Sequence, residues 1–296
     1  MATTRRPDPV DFSGRDLRFR PVDPERASTL RAEDVEQYNV EGFLSGFTVF
    51  EPDEARATRD YIGWLLGEVV SAGDGRGSYS VNGYHTVCAG IWDIVTSPRV
   101  GALVADLLGP EAVCWGTHLF AKMPGDGKEV PFHQDAVYWP FTPTETTTMW
   151  LAIDDVGPDN APVQFVPGSH LEGPIPHEVL ELDGTRVLGR QATGMDRRPG
   201  RFSNELVAGQ VSLHSDLLLH GSAANDSKRR RAGLTMRFAA AGVRVLPGYD
   251  DWRRDAIAVG QGDSTGYWGR VPRPDGDRPD LMAAWRDGEA KPVEAG

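Results

Sequence analysis

AVCWGTHLFAKM, residues 112–123, is where the chain changes character. It reads as a β-strand and opens a series of them: TTTMWLAIDDV (146–156), VQFVPGSH (163–170), QVSLHSDLLLH (210–220) and AGLTMRFAAAGVRVL (232–246). Clusters of Gly, Pro, Asp and Asn punctuate the series in PGDGK, GPDNAP, VPGSH and GSAANDSK. Such residues favour turns because they reach backbone conformations or local hydrogen bonds that others do not. Upstream of Pro110 the pattern is helical. AEDVEQYNVEGFL (32–44) starts with acids, places Val35 and Tyr38 on one side and is closed by Gly42, which spells a short helix. FTVF (47–50) reads as a strand. Pro52-Asp53-Glu54 then opens a second helix, along which Ala57, Tyr61, Trp64 and Leu65 recur at helical spacing. A third is expected near Arg99–Leu108, stopped by Gly109-Pro110. Helices first and strands after them imply an α+β chain, mainly β, with a double-sheeted jelly-roll core and flanking N-terminal helices.

Composition fits that picture. With 296 residues, 40% of them apolar, the chain can bury a sizeable core, and no internal repeat or low-complexity linker marks a second domain. Residues 1–28 are rich in Arg, Asp and Pro and are expected to form an extended or partly disordered arm, leaving 29–296 as one domain. The stretch from about Gly248 onward is polar, with Trp252, Tyr267 and Trp268 as expected anchors onto the core. A net charge of −12 argues against nucleic acid and anionic membranes as partners. The opening MATTRRPDPVDFSGRD has no apolar stretch of signal-peptide type, and no apolar run reaches membrane-spanning length. The expectation is a cytoplasmic monomer or homodimer. Cys88 and Cys114, in apolar surroundings and without a CxxC or Cys/His cluster, read as reduced core thiols.

The chemistry concentrates in VPFHQDAVYWPF (130–141). His133 and Asp135 are two apart, so on a strand both side chains point to one face while Gln134 points to the other. An imidazole beside a carboxylate supplies two of the three ligands of the facial triad of non-haem iron(II) oxygenases, which leaves three coordination positions open. Alone, the motif is weak: seven His among 43 acids produce roughly one His-x-acid triplet by chance. The chain holds three. His214/Asp216 has a single later histidine, His220, and a continuous strand through LLL (217–219) would set the two imidazoles about 20 Å apart. His170/Glu172 starts in the turn PGSH and runs into Gly173-Pro174, where no regular backbone holds two side chains on one face. His133/Asp135 has neither problem, and His220 can reach it from a neighbouring strand.

In HQD (133–135), WLAIDD (150–155), PGSH (167–170) and HGSAAN (220–225) followed by an Arg-rich run, the chain resembles the phytanoyl-CoA dioxygenase-like branch of iron(II)/2-oxoglutarate oxygenases. The resemblance runs from about Leu30 to Pro274. It implies a double-stranded β-helix (jelly-roll, cupin-like) core and a single oxygenase domain, with His133, Asp135 and His220 as iron ligands. It also implies 2-oxoglutarate as co-substrate, with dioxygen as oxidant and ascorbate as reductant in vitro. Arg231, eleven residues after His220, matches the family's carboxylate-anchoring arginine, and Ser222 matches a hydroxyl that helps bind the same carboxylate. A buried anion demands such a cation, and arginine's planar fork supplies it well. Arg237 is the fallback on the same strand. Trp150 matches a tryptophan that lies beside the co-substrate. Lys122 and Gln164 lie in segments flanking the site and join the expected co-substrate contacts. Tyr138, Trp139 and His118 are candidates for the wall of a substrate pocket.

The implied reaction couples oxidative decarboxylation of 2-oxoglutarate, to succinate and carbon dioxide, with hydroxylation of an unactivated C–H bond in a small molecule of specialised metabolism. Related halogenases replace the triad carboxylate by a small residue, so Asp135 argues against halogenation. Desaturation, epimerisation and ring formation use the same triad. A hydrolase or lyase with the triad but no 2-oxoglutarate is disfavoured by Arg231 and Ser222, and a metal-free jelly-roll binding protein by the intact triad.

Overall fold

The computed structural model describes residues 12–282 apart from 182 and 199. Residues 1–11 of the expected arm and 283–296 of the tail therefore lie outside the described residues.

Two chain signals set the N-terminal helices. Helix α1 (Ala32–Glu41) ends on Gly42, whose φ of 85° is the left-handed conformation that glycine adopts without penalty. Helix α2 (Pro52–Ser71) starts with Pro52 in its first turn, and the Glu54 side chain accepts from the Glu51 amide. A short helix α3 (Ala89–Val95), unforeseen in the sequence pattern, precedes α4 (Pro98–Leu108).

The described strands are β1 (Phe43–Thr48), β2 (Glu111–Lys122), β3 (Val130–His133), β4 (Phe141–Thr142), β5 (Thr146–Ala152), β6 (Val163–Phe165) and β7 (His177–Val179). They continue with β8 (Arg190–Ala192), β9 (Phe202–Asn204), β10 (Gln210–Ser215), β11 (His220–Ser222), β12 (Arg231–Ala240), β13 (Arg244–Val245) and β14 (Ile257–Gly260). A six-stranded sheet runs β1-β10-β5-β12-β2-β14 and a four-stranded one β3-β11-β6-β9, every pairing antiparallel. This is the jelly-roll architecture expected of the strand series.

The large sheet is buried on both faces, so its strands are apolar outward and partly polar inward. Along β12, Ala232, Leu234, Met236 and Phe238 join Val35, Ile62, Leu65 and Val104 in the core under the helices. The intervening Arg231, Thr235 and Arg237 face a cavity between the sheets. Burying one such Leu or Phe is worth about 1.5–3 kcal/mol. That helix-facing layer is therefore what fixes the inward direction of the polar set.

Three expectations need correction. The first strand is Phe43–Thr48, not FTVF, because it begins directly after the Gly42 reversal and pairs with β10. The polar tail contributes a strand, β14, to the edge of the large sheet beside β2. Most consequentially, QVSLHSDLLLH is not one strand. The backbone turns after Ser215, with the Leu218 amide donating to the Ser215 carbonyl, and β10 and β11 belong to different sheets. Leu217, Leu218 and Leu219 each enter a different apolar cluster. Three consecutive leucines here anchor a turn from three sides, whereas a strand would have sent them to two faces.

Residues 12–28 run without regular strand or helix apart from a turn at 13–14 and a 3-10 turn at Pro24–Arg26. Leu17 packs with Ala136 and Leu217, and Arg15 donates to the carbonyls of Ala136 and Phe141. Trp268 is buried with Trp115, Trp139 and Phe141, and Trp252 and Tyr267 pack onto that cluster. Both cysteines are free and buried, and burial pushes each thiol up to about 12. No helix among the described residues is long and apolar enough to cross a membrane.

Candidate metal centre

His133, at the end of β3, and His220, at the start of β11, are direct register partners in the small sheet. Their rings lie 4.2 Å apart. β3 gives way after Gln134 to a 3-10 turn at Asp135–Val137, which swings Asp135 beneath the two imidazoles. Asp135 Oδ1 is 3.6 Å from His133 Nε2 and 3.8 Å from His220 Nε2. One ligand atom from each residue falls within 4.8 Å of the other two, the one such convergent group among the described residues.

The tautomers follow from the backbone. His133 Nδ1 lies 2.8 Å from the Pro131 carbonyl and His220 Nδ1 2.9 Å from the Leu218 carbonyl. A carbonyl only accepts, so each Nδ1 carries the proton and each Nε2 presents a lone pair to the centre. Burial, with His133 beside it, keeps His220 well below the ordinary imidazole value. Two neutral imidazoles and one carboxylate, with second nitrogens tied to carbonyls, fit a divalent iron held on one face.

The cavity continues along the inner face of the large sheet, past Trp150, Ser222 and Phe120, to Arg231. Arg231 is 1% exposed, and its Nη2 donates to Ser222 Oγ at 3.2 Å. Its Nε has no hydrogen-bond partner. Its neighbours in sequence are already neutralised: Arg229 pairs with Asp159 on the surface, and Arg230 forms a two-pronged pair with the buried Asp154. Arg229 and Arg230 precede the strand, whereas Arg231 is the first residue of β12 and lines the cavity. Trp150 lies within 5.6 Å of its guanidinium and directly over Gly233, where a Cβ would fall inside the indole.

Residues 36–233, which include the triad and Arg231, match the family model described as phytanoyl-CoA dioxygenase (PhyH). The chain belongs to this family. It is 29% identical to the peroxisomal phytanoyl-CoA dioxygenase of Bos taurus over 157 residues, which is 51% of this chain and 46% of that one. It is 32% identical to phytanoyl-CoA dioxygenase domain-containing protein 1 of Mus musculus, over 52% of this chain and 55% of that one. The chain spans about half the length of the curated relatives it matches. The solved structure of the non-heme monooxygenase ThoJ, in apo form, superposes with a TM-score of 0.72 at 26% identity, covering 84% of this chain and 91% of that one.

Within this PhyH-family chain the remaining expected residues fall in different places. Ser222 and Trp150 line the cavity, as does Arg237, packed between Trp115 and Trp139. Lys122 does not line it. Its Nζ donates to the backbone carbonyls of Lys128, Ser222 and Ala223, so it clamps the end of β11 and orients Ser222 from behind. Gln164 points the other way, because Val163 and Phe165 on either side of it are the inward pair on β6. Tyr138 stands edge-on to His133 at 5.7 Å, whereas Trp139 is buried in the Trp115 cluster behind Arg237. His118 lies on the inner face but past the cavity wall, with Nε2 against the Tyr79 carbonyl.

Two cavity residues escaped the sequence reading. Thr148 donates through Oγ1 to Asp135 Oδ2 at 2.8 Å. His214, set aside on the strength of an unbroken strand to His220, lies with its ring 4.4 Å from the His220 ring, because the turn at 216–219 folds β10 and β11 together. The rejection of His214/Asp216 as a ligand pair rested on that wrong distance, although the convergent group still excludes it. Asp216 points elsewhere, accepting from Thr144 with Arg15 near, and burial pushes its carboxyl up to about 6.

Proposed function

We propose that this chain is an iron(II)- and 2-oxoglutarate-dependent dioxygenase that hydroxylates an unactivated C–H bond of a small molecule of specialised metabolism. The observation that carries this reading is Arg231: a buried guanidinium with an unpartnered Nε, at the far end of a cavity that starts at the triad. A cation so placed costs several kcal/mol unless an anion joins it. A dicarboxylate chelating a metal through one end supplies that anion with the other.

On this reading His133, Asp135 and His220 would hold the iron on one face. The bound metal and co-substrate would supply the power to activate dioxygen and oxidise a C–H bond. The chain's own residues bind and orient. Arg231 and Ser222 receive the distal carboxylate, Trp150 closes one side, and Lys122 keeps Ser222 in register. The enclosure between two sheets suits a small molecule as primary substrate. The wall of Trp115 and Trp139 around Arg237 lies away from the Arg231 end, roughly 20 Å further along β12. That leaves the Arg237 side for the substrate. Desaturation, epimerisation or ring formation would use the same groups, and the identity of the substrate decides among them.

The test is direct. With iron(II), ascorbate and 2-oxoglutarate, the protein should form succinate slowly even without its substrate, and Asp135→Ala should stop it. Absence of succinate from the wild type, together with unchanged behaviour of Arg231→Ala, would sink the reading in favour of a hydrolase, a lyase or a binding protein.

A further inference from the structure

His214 has no assigned task, yet it is 2% exposed and neither ring nitrogen has a hydrogen-bond partner. Leaving both polar atoms of a buried imidazole unpaired is costly, so such a ring is normally found with a partner. On the inner face of β10 it is the register neighbour of Thr148, and its Nε2 is 3.7 Å from Asp135 Oδ2, just beyond hydrogen-bond length. That oxygen is the one that accepts from Thr148 Oγ1. The two carboxylate oxygens of Asp135 thus have different surroundings. Oδ1 faces the free nitrogens of His133 and His220, while Oδ2 faces Thr148 and His214. Phe165 packs its ring 5.3 Å from that of His214 on this side.

Resting on the metal reading above, we propose that His214 is a positioning residue for Asp135: with Thr148 it holds Oδ2, so that the carboxylate offers the metal Oδ1 alone. A one-oxygen carboxylate leaves three of six coordination positions open, whereas a two-oxygen grip would take one of the positions needed by a chelating co-substrate and dioxygen. His214 is not a fourth ligand, since it stands outside the convergent group of His133, Asp135 and His220.

Two nearly isosteric variants separate this role from packing. His214→Gln keeps an N–H that can reach Oδ2, and His214→Met fills similar space without one. Co(II) titrated into the metal-free protein, followed by its visible bands, reads both affinity and coordination number. The methionine variant should bind Co(II) about 10–100-fold more weakly with altered bands, and the glutamine variant should recover to within about 3-fold of wild type. If methionine unfolds the chain, His214→Phe, which keeps the ring volume, takes its place. Equal Co(II) affinity and identical bands in the donor and non-donor variants would overturn the inference while leaving the metal centre standing. Failure of the wild type itself to bind Co(II) would overturn the metal reading and this inference with it.

Discussion

The two sheets contribute to the centre in opposite ways. The small sheet is built from strands of three or four residues, yet it supplies both histidines of the convergent group and runs directly into Asp135. The large sheet has strands of up to twelve residues and supplies none of the three. What it presents on its inner face is Thr148, which donates to Asp135 Oδ2, and Trp150, His214 and Arg231, which line the cavity. Short strands end where they are needed, so a side chain at a strand terminus can be swung by the following turn. Long strands, pinned by the helix-facing core, hold a side chain at a fixed height. The sharpest break of this contrast is at the small sheet. Asp135→Ala should abolish iron(II) uptake, measured by equilibrium dialysis, while circular dichroism shows the fold intact. Stoichiometric uptake by that variant would mean that the ligands lie elsewhere.

A second comparison lies within one strand of the large sheet and its approach. Arg230 and Arg231 are adjacent but face opposite ways, one paired with Asp154 and the other turned into the cavity. Arg231→Ala should weaken anaerobic 2-oxoglutarate binding by about 100-fold, as loss of a buried charge-assisted pair typically does, while metal uptake stays normal. Arg230→Ala should leave that binding unchanged and lower stability by about 1–2 kcal/mol, since Asp154 keeps Arg59 and the Ala232 amide as partners. If the two variants affect 2-oxoglutarate equally, the inward and outward faces have no separate roles.

How much of this could be read from the chain depends on which sheet a residue serves. The convergent group is spelled locally: His133 and Asp135 stand two apart and follow a turn-rich stretch, and His220 precedes a glycine, Gly221, that lies close against β3. The supports are spelled across distance. Thr148 sits in a run of three threonines, of which Thr147 turns outward to Tyr38, and nothing local tells one from the other. His214 was misplaced because an apolar run after it resembles continued strand, and only packing of Leu217, Leu218 and Leu219 into three clusters shows the turn. The role of Lys122 is not decided by its sequence, because a buried lysine Nζ can be satisfied by carbonyls as well as by a ligand. Helices α1, α2 and α4 were legible from their Gly and Pro signals, whereas α3, seven residues long, has too few turns to show a period.

The Gly233–Trp150 contact tests how rigidly the large sheet holds its inward set. A methyl at residue 233 would collide with the indole, whose ring centroid lies 5.6 Å from the Arg231 guanidinium. Gly233→Ala should lower stability by about 1–3 kcal/mol, the usual cost of overpacking, and should weaken 2-oxoglutarate binding more than metal binding. A variant with unchanged melting temperature and unchanged 2-oxoglutarate affinity would show that Trp150 is free to move and takes no part in shaping the cavity.

The smallest expected effect concerns a histidine of the large sheet that lies outside the metal centre. Burial, reinforced by the positive charge of Arg237, holds His118 down at about 3. In the unfolded chain the same imidazole titrates near 6.5, at about 1.4 kcal/mol per unit of difference between the two states. The folded value is depressed, so between those limits the unfolded chain binds a proton that the native protein refuses. The contribution of His118 to stability is therefore complete above about pH 6.5 and is lost progressively as pH falls toward 3. Other neutral histidines, among them His177 and His220, add losses of the same sign, so the total slope does not isolate one residue. The difference from His118→Gln does, because glutamine can still donate to the Tyr79 carbonyl but takes up no proton. Chemical unfolding of the metal-free proteins at pH 7.0 and 5.5 should show the wild type losing about 1 kcal/mol more than the variant. Equal losses would mean that His118 reaches solvent or a counter-charge when the chain is folded, and that the inner face of the large sheet is wetter at this point than its packing indicates.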